Sequence, residues 1–166
     1  FAPEADLAAA LSDLKDQRLL IDSDQSNAWA QHLAKAAGAT LVPGSDPVAL
    51  PKACKNAAEL AGMRDAHIRD AVAVCRYLAW LDAEVTAGRF HDEGQLADKL
   101  LGFRKALPEF RDTSFDTISA VGGNAAMCHY SHLNGTPALM PNNSLYLVDS
   151  GGQYPDGTTD ITRTVA

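Results

Sequence analysis

Apolar positions in the first 50 residues follow helical spacing in two places and strand-like runs in two others. Leu7, Leu11 and Leu14 recur at the spacing of one helix face. The pattern predicts a helix over 5–16, a strand over 18–21, a helix over 26–37 capped from 22–24 and ended by Gly38, and a strand over 40–42. Strand, helix and strand in close order indicate an α/β unit that is too small to form a domain alone. We therefore interpret residues 1–53 as the C-terminal part of a preceding domain.

Residues 54–166 show helical periodicity first and strand-like texture afterwards. Asn56 is a predicted N-cap for a helix over 57–85, interrupted near Gly62, and a second helix is predicted over 92–105. The predicted core stripe of the first of these helices is Ala66, Ile68, Ala71, Val72, Cys75, Leu78, Ala79 and Leu81, with Arg64, Asp65, Arg69, Asp70, Asp82 and Glu84 on the other side. Strands are predicted over 115–121 and 145–148, with hairpin strands around the turn at 155–157. The fold class is therefore mixed, α/β (α+β).

Composition and charge exclude several functions. The 166 residues carry a net charge of -7 and have a pI of about 5.0, which gives no support to binding of nucleic acid or anionic membranes. No apolar run is long enough to span a bilayer. The three cysteines, Cys54, Cys75 and Cys128, have neither disulfide-framework nor zinc-site spacing, which is typical of free thiols in a reducing compartment. We expect a cytoplasmic protein.

Two aspartates, Asp149 and Asp160, lie next to apolar residues, where burying a charged carboxylate is costly. Asp149 directly follows the apolar run 145–148, and Asp160 directly precedes Ile161. In a hairpin with an even-numbered loop, the residue numbers of two paired positions add up to an odd number, and 149 and 160 also have an odd sum. Both side chains would then lie on one face, opposite at about 5 Å or diagonal at about 7–8 Å. Two carboxylates at this range repel unless a cation lies between them. A divalent metal, or two of them, would remove the repulsion.

The alternative is that both aspartates are turn residues facing water. In a hairpin with an odd-numbered loop, their side chains would lie on opposite faces. Asp156, in the turn at 155–157, fits that description best. His129 follows an apolar stretch, and a lone histidine there is more often a hydrogen-bonded core residue than a site residue. Cys128 beside it is interpreted as a small buried residue on a strand rather than as a nucleophile.

The segment from Asp149 to Thr164, with the sequence DSGGQYPDGTTDITRT, resembles the metal-site hairpin of aminopeptidase P, the Xaa-Pro aminopeptidases of pita-bread fold. The stretch 59–66 resembles the helix that opens their catalytic domain, and 123–130 resembles their His-Tyr segment. The DGTTD form is closer to the long three-domain aminopeptidases than to prolidase. Residues 54–166 would then be the first half of a pita-bread catalytic domain, and 1–53 the end of a non-catalytic α/β domain.

The resemblance implies removal of the N-terminal residue from peptides with proline in second position. It implies that Asp149 and Asp160 ligate two divalent ions, usually manganese and sometimes zinc, and that His129 lines the active site. The full-length protein would be a homodimer. The remaining ligands, one His and two Glu, would lie beyond residue 166, so this piece alone would be inactive. The alternatives are prolidase, a metal-free pita-bread binding module, and metal-free creatinase-like hydrolysis, of which the last two disagree with the presence of both aspartates.

Overall fold

The computed structural model describes residues 3–166, and these residues form two compact units, 3–55 and 56–166. The first unit contains a two-stranded parallel sheet in which Arg18 pairs with Thr40, as expected when a helix connects the two strands. Its elements are a 3₁₀ turn Glu4–Asp6, α1 Leu7–Ser12, β1 Arg18–Ile21, α2 Ala28–Ala36, β2 Thr40–Pro43 and α3 Ala49–Ala53. Both strand predictions are confirmed.

Two features of the first unit differ from the sequence predictions. The cap of α2 is Asn27, whose side chain accepts a hydrogen bond from the backbone N–H of Trp29. The carboxylate of Asp22 instead accepts hydrogen bonds from its own turn and from the backbone of Asp46. The sequence does not predict the short helix α3, because proline usually ends a helix. Pro51 lies in the first turn of α3, where proline is tolerated.

Two capped helices begin the second unit. They are α4 Ala57–Thr86 and α5 Glu93–Lys105. Each starts with a capping box, Asn56 with Glu59 and Asp92 with Gln95, in which the side chain of each residue accepts a hydrogen bond from the backbone N–H of the other. These caps explain why both helix starts were predictable from the sequence.

The predicted break at Gly62 is wrong, because α4 continues through that position. Gly62 is required by packing instead: a Cβ there would overlap with the carbonyl oxygen of Asp156. On the other side of this contact, a Cβ on Gly157 would lie against Ala66 and Met63. The two glycines therefore let the helix and the turn at 155–156 approach backbone to backbone.

The predicted core stripe of α4 is only partly correct. Ala66 and Leu81 are buried, but Ile68 is 68% exposed and Val72 and Cys75 are also exposed. The buried face is Ala66, Asp70, Ala73, Val74, Tyr77 and Leu81. The helix has apolar residues on two faces, and the neighbours that decide which face is covered are distant in sequence.

Six strands form two antiparallel sheets in the second unit, in the orders β4-β5-β8 and β3-β6-β7. They are β3 Asp112–Thr113, β4 Ile118–Val121, β5 Tyr146–Ser150, β6 Gly152–Tyr154, β7 Gly157–Thr158 and β8 Ile161–Val165. The hydrophobic core lies where α4 and α5 meet the first sheet, and is built around Tyr77, Leu81, Leu96, Leu100, Tyr146 and Val148. No helix in residues 3–166 is long and apolar enough to cross a membrane.

Candidate metal centre

A single antiparallel ribbon, residues 146–165, carries both candidate aspartates. Tyr154 pairs with Gly157 across a two-residue turn, and Tyr146 pairs with Val165 at the other end. One register holds throughout, although the ribbon contributes β5 and β8 to one sheet and β6 and β7 to the other. The even-numbered loop assumed from the sequence is therefore present.

This register gives the diagonal arrangement of the two aspartates. Asp149 pairs with Thr162, and Asp160 lies two residues before Thr162, one residue outside β8. Side chains alternate along the strand, so Asp160 shares a face with Thr162 and therefore with Asp149. Burial agrees: Val148 and Thr159, one position away from each aspartate, are buried, whereas Asp149 is half-buried and Asp160 exposed.

Few groups neutralise these two carboxylates. The hydroxyl of Thr162 donates a hydrogen bond of 2.8 Å to Asp149 Oδ1. Within residues 3–166, neither aspartate forms a salt bridge with a lysine or arginine. Carboxylate oxygens are ligands that suit hard divalent ions, so the donor set fits a metal such as manganese. The same part of the chain has no cluster of three or more potential metal ligands.

Gly151 fixes the ribbon where it passes from one sheet to the other. The Ser114 hydroxyl donates a hydrogen bond of 2.8 Å to the Thr159 carbonyl, and the Ser114 N–H donates to the Gly151 carbonyl at 3.2 Å. A Cβ on Gly151 would overlap with both the Thr159 carbonyl oxygen and the Ser114 hydroxyl. The absence of a side chain therefore sets the backbone next to Asp160.

We expect Gly151→Ala to destabilise the chain by about 1–3 kcal/mol, because backbone must move to admit the methyl group. The measurement is the free energy of unfolding in denaturant. Gly102→Ala in α5 is the matched control, since nothing lies within 4 Å of the position that its new methyl group would occupy, and it should be neutral or stabilising. Equal effects of the two substitutions would contradict the packing role of Gly151.

His129 lies in a turn, and its interpretation as a core residue on a strand is wrong. The 3₁₀ helix Gly122–Ala126 follows β4, and His129 comes three residues later, exposed and with a φ of 57°. Cys128 is likewise exposed rather than buried. β4 runs from Ile118, opposite Asp149, to Val121, opposite Tyr146, so His129 follows the end of the strand that is distant from Asp149. The register brings the two aspartates to one face, and no hydrogen bond in residues 3–166 joins either of them to His129.

The sequence did not reveal two buried acids beside these elements. Asp70, predicted to face outward, is fully buried and accepts hydrogen bonds from Arg104 at 2.7 and 2.9 Å and from the Tyr154 hydroxyl at 2.7 Å. Burial raises the pKa of the Asp70 carboxyl, but these hydrogen bonds outweigh burial and hold its pKa below the ordinary value. The second acid is Glu93 in α5, also fully buried. An isolated Asp or Glu on a helix gives no sequence signal of a partner 30 or more residues away.

The fold and the aspartate ribbon define a class of metallopeptidase. The sequence profile of Metallopeptidase family M24 matches residues 61–166. The chain belongs to this family, and the expected mixed fold, the first part of a pita-bread domain, is confirmed.

Similar proteins include aminopeptidases and prolidases. The chain is 45% identical over 150 residues to a probable Xaa-Pro aminopeptidase P of Laccaria bicolor, which covers 90% of this chain and 23% of that protein. It resembles the structure of X-prolyl aminopeptidase from Caenorhabditis elegans, described as a cytosolic enzyme with a dinuclear active site, with a TM-score of 0.84 and 34% identity over 98% of this chain and 28% of that one. Prolidase from Pyrococcus furiosus has the same fold, with a TM-score of 0.76 and 21% identity over 99% of this chain and 48% of that one. The chain thus spans about a quarter of the length of the aminopeptidases that it matches.

Proposed function

We propose that this chain is part of a dinuclear metal-dependent aminopeptidase that removes the N-terminal residue from peptides with proline in second position. The observation that carries the proposal is the ribbon register, which puts Asp149 and Asp160 on one accessible face without a cationic side chain from residues 3–166 to neutralise them. Similarity to Xaa-Pro aminopeptidases, at 45% identity for the Laccaria bicolor protein, supports the substrate class.

Asp149 and Asp160 would hold two divalent ions, with manganese favoured and zinc possible. Bound metals of this kind acidify a water molecule and polarise the substrate carbonyl. The dinuclear site of the Caenorhabditis elegans enzyme supports the number of ions. Thr162 orients Asp149 by donating to Oδ1, which leaves Oδ2 of that carboxylate for a ligand bond.

His129 would hydrogen-bond the substrate or the charge that develops on it. Its exposure leaves the imidazole accessible, and its turn lies outside the sheet that carries the aspartates.

The rest of the full-length protein would supply the other ligands and the general base. Residues 1–53 would be the end of a non-catalytic domain, and residues 54–166 the first half of the catalytic domain. A homodimer and a cytoplasmic location are further predictions, the latter supported by the cytosolic relative.

Removing the metals should abolish activity of the full-length protein. We expect about two manganese or zinc ions per chain by elemental analysis, loss of Xaa-Pro-Xaa hydrolysis after chelation, and recovery when manganese is restored. Magnesium at the same concentration is the control for ionic effects. Full activity of the metal-free protein would contradict the proposal, and a protein with neither metal nor activity would favour a binding module.

Prolidase activity is the second candidate, because the Pyrococcus furiosus prolidase has the same fold. The two enzymes differ in the length of substrate that they accept. Hydrolysis of Xaa-Pro-Xaa tripeptides and longer peptides supports the aminopeptidase, whereas cleavage restricted to Xaa-Pro dipeptides supports prolidase.

A further inference from the structure

The buried carboxylate of Glu93 has no role in the proposed metal chemistry, yet it accepts four hydrogen bonds. Its Oε1 accepts from the Val121 N–H at 2.8 Å and from Asn124 Nδ2 at 2.9 Å. Its Oε2 accepts from the Tyr130 hydroxyl at 2.7 Å and from the Ala138 N–H at 2.9 Å. Every partner is a donor, so the site is built for a carboxylate.

Helix capping does not account for Glu93. The capping box of α5 is made by Asp92 and Gln95, which leaves Glu93 without a cap function. Burying a carboxylate is costly, and within residues 3–166 no lysine or arginine pairs with this one. Burial raises the pKa of Glu93, but the hydrogen bonds outweigh that effect and keep its pKa below the ordinary value. The four bonds are therefore charge-assisted, which makes them stronger than neutral ones.

The four donors all belong to the segment 121–138, which carries His129. Val121 ends β4 and Ala138 lies at the far end of the segment, so one carboxylate ties both ends. Tyr130 directly follows His129, and Asn124 donates a further hydrogen bond of 3.0 Å to the Tyr130 hydroxyl. His129 itself is exposed in a left-handed conformation. Within the described residues the His129 side chain forms no hydrogen bond, whereas its neighbour Tyr130 is held by Glu93.

We propose that Glu93 is a positioning residue that holds the segment 121–138, and through Tyr130 fixes the place of His129. The part of this inference that concerns catalysis rests on the proposed function of His129. Replacing Tyr130 with Phe removes one bond to Glu93 and leaves the other three, so the protein keeps its fold. Replacing Glu93 with Gln is harsher, because an amide N–H₂ would face a backbone N–H of either Val121 or Ala138.

Amide hydrogen exchange of the full-length protein tests the positioning directly. We expect Tyr130→Phe to speed exchange in the segment 122–138 by about tenfold, and Glu93→Gln by more, with little change elsewhere. Tyr77→Phe is the matched control: it removes a buried hydroxyl that donates at 3.0 Å to Tyr146 and does not touch the Glu93 carboxylate. It should leave exchange in 122–138 unchanged. Unaltered exchange of this segment in both Glu93→Gln and Tyr130→Phe would overturn the inference.

Kinetics of the same variants test the link to His129. We expect Tyr130→Phe to lower kcat about 10–100-fold with a smaller change in KM and no loss of metal, since misplacing a reacting group costs about that much. In a His129→Ala background, Tyr130→Phe should cause no further loss of activity. Equal losses in both backgrounds would refute the link. An inactive parent would refute the proposed function, while hydrogen exchange would still decide whether Glu93 holds the segment.

Discussion

Replacing Asp149 and Asp160 together with asparagine should remove metal binding and lower peptidase activity of the full-length protein by at least about 10³-fold. Asparagine keeps the shape of aspartate and an oxygen for the Thr162 hydroxyl, but it loses the negative charge. Two divalent ions then have no anionic ligand on this ribbon. Elemental analysis and Xaa-Pro-Xaa hydrolysis measure the two losses.

The stability of the metal-free protein separates a functional from a structural role of these aspartates. Without metal, two like charges on one face repel, so the double variant should unfold at the same temperature as the parent or higher. Added manganese should stabilise the parent alone, because only the parent binds it in the folded state. Asp156→Asn, in the turn of the same ribbon, is the matched control for metal binding and should retain metal, although it weakens the ion pair of Asp156 with Arg69. A metal-free double variant less stable than the parent would identify both aspartates as structural turn residues.

Local rules predicted those parts of the fold that depend on neighbours in sequence. Asn56 and Asp92 mark helix starts because capping is settled within four residues. The shared face of Asp149 and Asp160 follows from strand alternation and an even-numbered loop, both readable from one hairpin. The family resemblance rests on the same hairpin.

Long-range packing decided the features that were predicted wrongly. Ile68 and Val72 are as apolar as the buried Val74 of α4, so only the position of the sheet tells which face is covered. His129 adopts a positive φ that non-glycine residues rarely take, and a residue pattern alone favours a strand there. The burial of Asp70 depends on Arg104, 34 residues later, and on Tyr154, 84 residues later. Buried charge is the part of this site that a single sequence conceals best.

Arg104→Met should destabilise the chain by about 3–5 kcal/mol, the usual cost of removing one partner of a buried ion pair. Arg104 is 1% exposed and Asp70 is fully buried, so methionine fills the space but leaves the Asp70 carboxylate with the Tyr154 hydroxyl. Tyr154 belongs to the ribbon of Asp149 and Asp160, so loss of this network should also loosen that ribbon. Denaturant unfolding measures the free energy of unfolding.

Two further variants distinguish the cost of leaving the buried Asp70 carboxylate unpaired from the cost of losing the packing of Arg104. Asp70→Leu combined with Arg104→Met removes both charges, so it should destabilise less than Arg104→Met alone, although Tyr154 loses its acceptor. Arg69→Met breaks the partly exposed pairs of Arg69 with Glu109 and Asp156 and should cost much less, because water screens both pairs. A double variant whose loss equals the sum of its single variants would show that the two residues act independently. The buried pair would then contribute through packing, and the ribbon would be held mainly by Gly151, Ser114 and the contacts of Gly62.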